Sequence, residues 1–141
     1  MGFTDAQLAA IGESGKTVLV SAAAGSGKTF TLTKRIIEKI TKEGADISRM
    51  LIVTFTRAAA AGELKSRIST ALSEEIAKNP GNTHLQNQML LMSGAKICTI
   101  DSFFTDPVKA NFDRLGLPAK VRLADASELE AVHKAEGVFL G

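Results

Sequence analysis

An α/β fold with a mainly parallel sheet and flanking helices is predicted for this 141-residue chain by three observations. Short apolar runs alternate with longer segments of helical period, the arrangement that joins parallel strands through right-handed crossovers. A glycine-rich turn, Gly25-Ser26-Gly27, links the first apolar run to the first long helical pattern. Hydrophobic content of 45% with only three prolines suits a packed core rather than disorder.

Each element has its own signal. Thr4 is placed to cap a first helix, with Gln7 three residues on and Phe3 and Leu8 positioned as a hydrophobic staple. A turn near Gly12 to Gly15 leads to a first predicted strand, about Thr17 to Ser21. A helix follows from about Lys28 to Lys42, with Leu32, Ile36 and Ile40 on one face, and Gly44 stops it. Leu51-Ile52-Val53-Thr54-Phe55 reads as a strand buried on both faces. In the next helix Ala61, Leu64, Ile68, Leu72 and Ile76 recur at spacings of three and four, ending before Pro80-Gly81. Gly62 inside it costs about 1 kcal/mol relative to alanine, which points to close packing, a bend or an irregular first turn. Leu85 to Met92 is a short helix whose methionines read as core. A third strand, Lys96 to Ile100, leads into Asp101-Ser102-Phe103-Phe104. Asp106-Pro107 suits a cap and first helical position for a helix carrying Val108, Phe112 and Leu115, broken by Gly116 and Pro118. Asp125 and Glu128 have capping-box spacing before a final helix.

Composition narrows the function classes. Cys98 is the single cysteine, so neither a disulfide framework nor a cysteine metal cluster is available. His84 and His133 have no metal-ligand spacing. No apolar run approaches the roughly 18 residues that cross a membrane, and no basic segment with an apolar one after it opens the chain. The expectation is a soluble, intracellular protein with no membrane partner. A net charge of +2 tolerates a polyanion without demanding one. The seven aromatic residues are all Phe, leaving few platforms on which unpaired bases could stack.

The chemistry concentrates in Ala22-Ala23-Ala24-Gly25-Ser26-Gly27-Lys28-Thr29. The phosphate-binding pattern GxxxxGK[ST] has Ala22 in place of its first glycine, and the rest is intact. Gly25, Ser26 and Gly27 let the backbone curve around a β-phosphate, and Lys28 neutralises the β/γ-phosphates. The Thr29 hydroxyl is the candidate Mg²⁺ ligand, and the start of the helix adds a field of the correct sign. The plain alternative is a flexible Gly/Ser turn. Hydrolysis also needs an acidic residue for Mg²⁺ and a group that orients water, and no apolar strand ending in Asp-Glu is present. Asp101 follows a strand and serves either Mg²⁺ or a local cap on the Ser102, Phe103 or Phe104 N–H groups. Thr54-Phe55-Thr56-Arg57, where a strand gives way to a helix, suits either nucleic-acid phosphate contact or capping.

Taken together and in order, these blocks resemble the first motor domain of superfamily 1 DNA helicases of the UvrD/RecB type. The likeness is nearest to the larger, motor-bearing chains of AddAB-type helicase–nucleases, which act in bacterial double-strand break repair. Phe3-Thr4-Asp5-Ala6-Gln7 is similar to their opening, in which the glutamine reads adenine. An alanine commonly stands at the position of Ala22 in that family. Leu51 to Ala60 resembles motif Ia, which contacts single-stranded DNA, and Thr99-Ile100-Asp101-Ser102-Phe103 resembles a later Thr-Ile-His-Ser-Phe block near DNA. Aspartate stands here where histidine is common, and Glu63 falls one position later than the usual pattern. Leu123-Ala124-Asp125 with Glu128 resembles the start of the inserted 1B subdomain.

The resemblance implies a partial RecA-like P-loop NTPase domain. Residues 1–118 would form the N-terminal part of motor domain 1A, and residues 119–141 the start of 1B. It implies ATP and Mg²⁺ as cofactors, held by Gln7 and by Ala22 through Thr29, with Lys28 and Thr29 as the catalytic members. DNA contacts fall on Thr54, Phe55, Thr56, Arg57, Asp101, Ser102 and Phe103. The implied partners are single- or double-stranded DNA and a second helicase–nuclease subunit, in a bacterial cytoplasm. The family's acidic motif, water-orienting glutamine, arginine fingers, second motor domain and nuclease are expected outside these 141 residues. The strands that complete the sheet are expected there too, and exposed apolar sheet edges then predict self-association of the isolated piece. Two other classes stay open: a nucleotide-gated interaction domain without catalysis, and a small nucleotide kinase, which would need an arginine-bearing lid.

Overall fold

The computed structural model describes residues 2–23, 25–55, 58–118, 127, 128 and 131, with the side chains of 58 and 59 set aside. The chain divides into two compact units, Met1–Ser102 and Phe103–Gly141. It is mostly helical, with a small parallel sheet flanked by helices, which agrees with a partial RecA-like P-loop arrangement. The elements run α1 (Asp5–Gly12), α2 (Lys28–Lys42), β1 (Leu51–Thr54), α3 (Ala58–Lys78), α4 (Thr83–Leu91), β2 (Lys96–Thr99) and α5 (Ile100–Ala110).

The first unit is organised around α3. Its stripe Ala61, Leu64, Ile68 and Leu72 is buried, as the spacing predicts, and Ile76 packs at the margin. Ile36, Ile37 and Ile40 of α2 close on this stripe together with Leu85 of α4 and Met92. Leu32 of α2 stays over a third exposed, so the buried face of α2 is rotated towards Ile37. Close packing does not explain Gly62, because a Cβ built there meets nothing within 4 Å.

β1 and β2 pair in parallel, Leu51 opposite Lys96 and Thr54 opposite Thr99. Ile52 faces the core while Leu51 and Val53 remain exposed, so β1 is covered on one face rather than on both. Chain entry into β1 uses a 3-10 turn, Ile47–Arg49, capped by the Asp46 carboxylate, which accepts from the Ser48 N–H at 2.9 Å. Inside that turn the buried Ile47 N–H donates to the buried Gln88 Oε1 at 2.7 Å.

Two predicted elements are corrected. Residues 17–21 form no ladder: Leu19 is 94% exposed and Val20 about half exposed. The β-branched run has strand propensity, but a strand exists only against a partner, and β1 and β2 pair with each other instead. The helix predicted to start at Asp106-Pro107 begins at Ile100, which places Pro107 inside α5. Thr99 provides that earlier start, its Oγ1 accepting from the Ser102 N–H at 3.2 Å. Pro107 lacks the N–H that would pair with the Phe103 carbonyl, and the helix continues past it for one turn. In the second unit Phe103 and Phe104 meet edge-on at 5.3 Å, and the chain turns at Gly116. The predicted capping box at Asp125 and the residues assigned to 1B lie largely outside the described residues.

Candidate nucleotide site and nucleic-acid face

The phosphate-loop sequence folds as its glycines require. Gly25 and Gly27 both take positive φ, 76° and 82°, a region costly for any residue with a Cβ. Gly27 is the N-cap of α2, so Lys28 and Thr29 are its first two residues and both are exposed. The N–H groups of this first turn have no partners within the helix and carry its positive end. Ala22, Ala23 and Ser26 line the same turn, where the Ser26 N–H donates to the Ala23 carbonyl at 3.3 Å. Ala24 lies outside the described residues. The Lys28 ammonium curls back onto its own loop, donating to the Ala22 and Ala23 carbonyls at 2.6 and 3.0 Å.

Gln7 reaches this loop from α1. The capping box is formed: Thr4 Oγ1 accepts from the Gln7 N–H, and Gln7 Oε1 accepts from the Thr4 N–H at 2.9 Å. The same side chain donates from Nε2 to the Ser26 carbonyl at 3.2 Å. A primary amide has two donor hydrogens and two acceptor lone pairs, so one of each remains for a ligand. Capping and ligand reading therefore do not compete for Gln7. Nε2 also lies 3.3 Å from where a Gly27 Cβ would stand, which makes Gly27 necessary for the close approach as well as for its φ.

Phe3 takes a partner that the spacing does not reveal. Its ring stacks on Phe30 of α2, with centroids 4.9 Å apart and planes 9° from parallel, while Leu8 is half exposed. Beside the loop opens a cleft of about 330 Å³ lined by Ala10, Val18, Val20, Lys28, Thr29, Thr31, Leu32 and Arg35. Its walls are chiefly apolar. A triphosphate needs donors and cations, so its cradle is the turn itself and this cleft suits apolar side chains.

The second group of predicted residues gathers at the C-terminal ends of the two strands. The parallel register puts Thr54 beside Thr99, and the chain then leaves β1 through Phe55 and β2 through Asp101 and Ser102. Phe55 is 89% exposed. Thr56 and Arg57 lie outside the described residues, and Phe103 belongs to the second unit. The cap on the Ser102 N–H, which the sequence assigns to Asp101 as one alternative, comes from Thr99; the Thr99 hydroxyl also donates to Ser102 Oγ at 3.0 Å. Thr99 is a residue that motif reading passes over, although a threonine three positions before Ser102 is N-cap spacing.

Among the described residues no helix is long and apolar enough to cross a membrane. Residues 3–137 match the UvrD/REP helicase N-terminal domain family. The chain is 49% identical over 130 residues to the larger chain of the ATP-dependent helicase/nuclease from Geobacillus kaustophilus, covering 91% of this chain and 10% of that protein. The protein of the same name from Clostridioides difficile is 44% identical over 138 residues, 96% of this chain and 11% of its own. That from Heliobacterium modesticaldum is 46% identical over 127 residues, 90% of this chain and 9% of its own. The chain thus spans about a tenth of the length of the curated relatives it matches. With the family matched over nearly its whole length, the chain belongs to the UvrD/REP helicase N-terminal domain family.

Proposed function

We propose that this chain is the ATP-binding part of an ATP-dependent DNA helicase–nuclease that acts in double-strand break repair and recombination. The observation that carries this reading is the joint construction of loop and glutamine. Gln7 is bonded to the Ser26 carbonyl, and Lys28 and Thr29 open a helix directly after a left-handed glycine. The donor and acceptor left on Gln7 are complementary to the N7 and amino group of adenine. The residues present fit a Mg²⁺–triphosphate: turned-in loop N–H groups, the Lys28 ammonium, the Thr29 hydroxyl and the positive end of α2. ATP bound there would supply the free energy of phosphoryl transfer, while these residues bind and orient it.

DNA is proposed to run past the strand ends, over Thr54, Phe55, Asp101 and Ser102, with Thr56, Arg57 and Phe103 as further contacts. A second helicase–nuclease subunit is the proposed partner and the cell interior the proposed location. The isolated piece is proposed to self-associate through the exposed Leu19, Val20, Leu51 and Val53.

Nucleotide titration of the purified chain tests the site. Weak Mg²⁺–ATP binding is expected, with negligible turnover. Lys28→Ala is expected to abolish binding, and unchanged affinity in that variant would count against the loop. Single-stranded DNA titrated at two salt concentrations should bind more tightly at the lower one, as phosphate contacts require.

A further inference from the structure

We propose that Arg35 is a positioning residue for adenine recognition, because its guanidinium clamps the far end of α1 and thereby sets where Gln7 stands against the phosphate loop. The proposal rests on the nucleotide reading above and goes beyond it by naming what holds the base-reading residue in place.

α1 has eight residues, too few to persist alone in water. Only Ala10 and Ile11 of it are buried, so apolar contact anchors one end of one face. The carbonyls of its last turn need partners from outside the helix. The Glu13 N–H takes that of Ala9 at 3.1 Å. Arg35 Nη1, reaching over from α2, donates to those of Ala10 at 2.5 Å and Ile11 at 3.4 Å. No basic residue lies in the last turn of α1 itself, so Arg35 supplies the positive charge that a helix C-terminus favours. Its hydrogen bonds are half-buried and charge-assisted, which makes them stronger than neutral ones.

Gln7 lies one helical turn before Ala10. Its contact to the Ser26 carbonyl is 3.2 Å, long enough that a small tilt of α1 would break it. Arg35 itself arises from the middle of α2, seven residues after Lys28, on the helix that presents Lys28 and Thr29 to phosphate. One rigid helix therefore carries both the phosphate-binding residues and the anchor for the helix that bears Gln7. This makes base reading a matter of the distance between two helices.

The test compares Mg²⁺–ATP with Mg²⁺–GTP on the full 141-residue chain, by competition against a fluorescent ATP analogue. The unsubstituted chain is expected to prefer ATP. Arg35→Met keeps the aliphatic stem and removes the donors. It is expected to lose about fivefold of that preference, the size of one net hydrogen bond, while GTP affinity stays within about twofold. Arg35→Lys, whose single ammonium cannot reproduce the fork, is expected to fall between the two. A wild-type ATP preference in Arg35→Lys overturns the proposal whether or not Arg35→Met folds, and the same result in a folded Arg35→Met does so too. Lys28→Ala separates the two levels. Loss of all nucleotide binding there, with ATP preference intact in the Arg35 variants, defeats the positioning role and leaves the nucleotide site standing. Binding that survives Lys28→Ala defeats both.

Discussion

The two sides of α2 are fastened in opposite ways. Towards α3 it presents Ile36, Ile37 and Ile40, all buried, in a seam held by apolar burial. Towards α1 it presents Arg35, Lys39 and Phe30, in a seam of hydrogen bonds and one aromatic stack. The first kind of contact is insensitive to small displacements and contributes most to stability. The second is directional, so it fixes geometry while contributing little to the global free energy. Stability and site geometry therefore lie on different faces of one helix, and substitutions can address them separately.

The largest expected effect breaks the apolar side. Leu72→Ala removes a fully buried side chain and is expected to cost about 3 kcal/mol in urea unfolding. ATP preference in the fraction that stays folded should not change. A loss under about 1 kcal/mol would mean that the α3 stripe is not where stability resides. Gln88→Met comes next. It leaves the buried Ile47 N–H without its acceptor, at an expected cost of about 2 kcal/mol in the same assay. Thr4→Ala tests the polar side: loss of the capping box is expected to weaken α1 by about 1 kcal/mol. Hydrogen exchange should show faster amides in α1 with protection across Ile36 to Ile40 unchanged; equal acceleration in both would erase the contrast between the two seams.

The smallest effect is a pH dependence. Glu43 is held below the usual carboxylate range first by its hydrogen bond from Lys39 and then by that from Ser14. Its folded pKa is depressed. Its contribution is therefore present above the unfolded value and lost as pH falls through the folded one. Being exposed, it should matter little, and Glu43→Gln is expected to flatten the acid limb of the melting-temperature profile slightly. An unchanged profile would remove Glu43 from the seam.

Legibility in the sequence followed the range of the forces. α2 begins and ends where its periodicity and Gly44 place it, and the Thr4–Gln7 box forms as spaced, because three- and four-residue relations are local. The phosphate turn was legible for the same reason. The strand at residues 17–21 was not, since a run such as Val18-Leu19-Val20 encodes willingness to pair and not the presence of a partner. Nor could spacing show that Thr54 and Thr99 stand side by side, 45 positions apart, or that Arg35 would reach back to Ala10. A charged residue directly before the buried pair Ile36-Ile37 was the one available hint.

Lys28 carries a consequence of its own. With its ammonium already bonded to Ala22 and Ala23, nucleotide binding is an exchange of partners, in which two carbonyls are released as phosphate oxygens are gained. The net enthalpy of that exchange is the difference between two sets of bonds. Loop opening precedes full engagement, so association should reach a plateau rate at high nucleotide instead of rising with every collision.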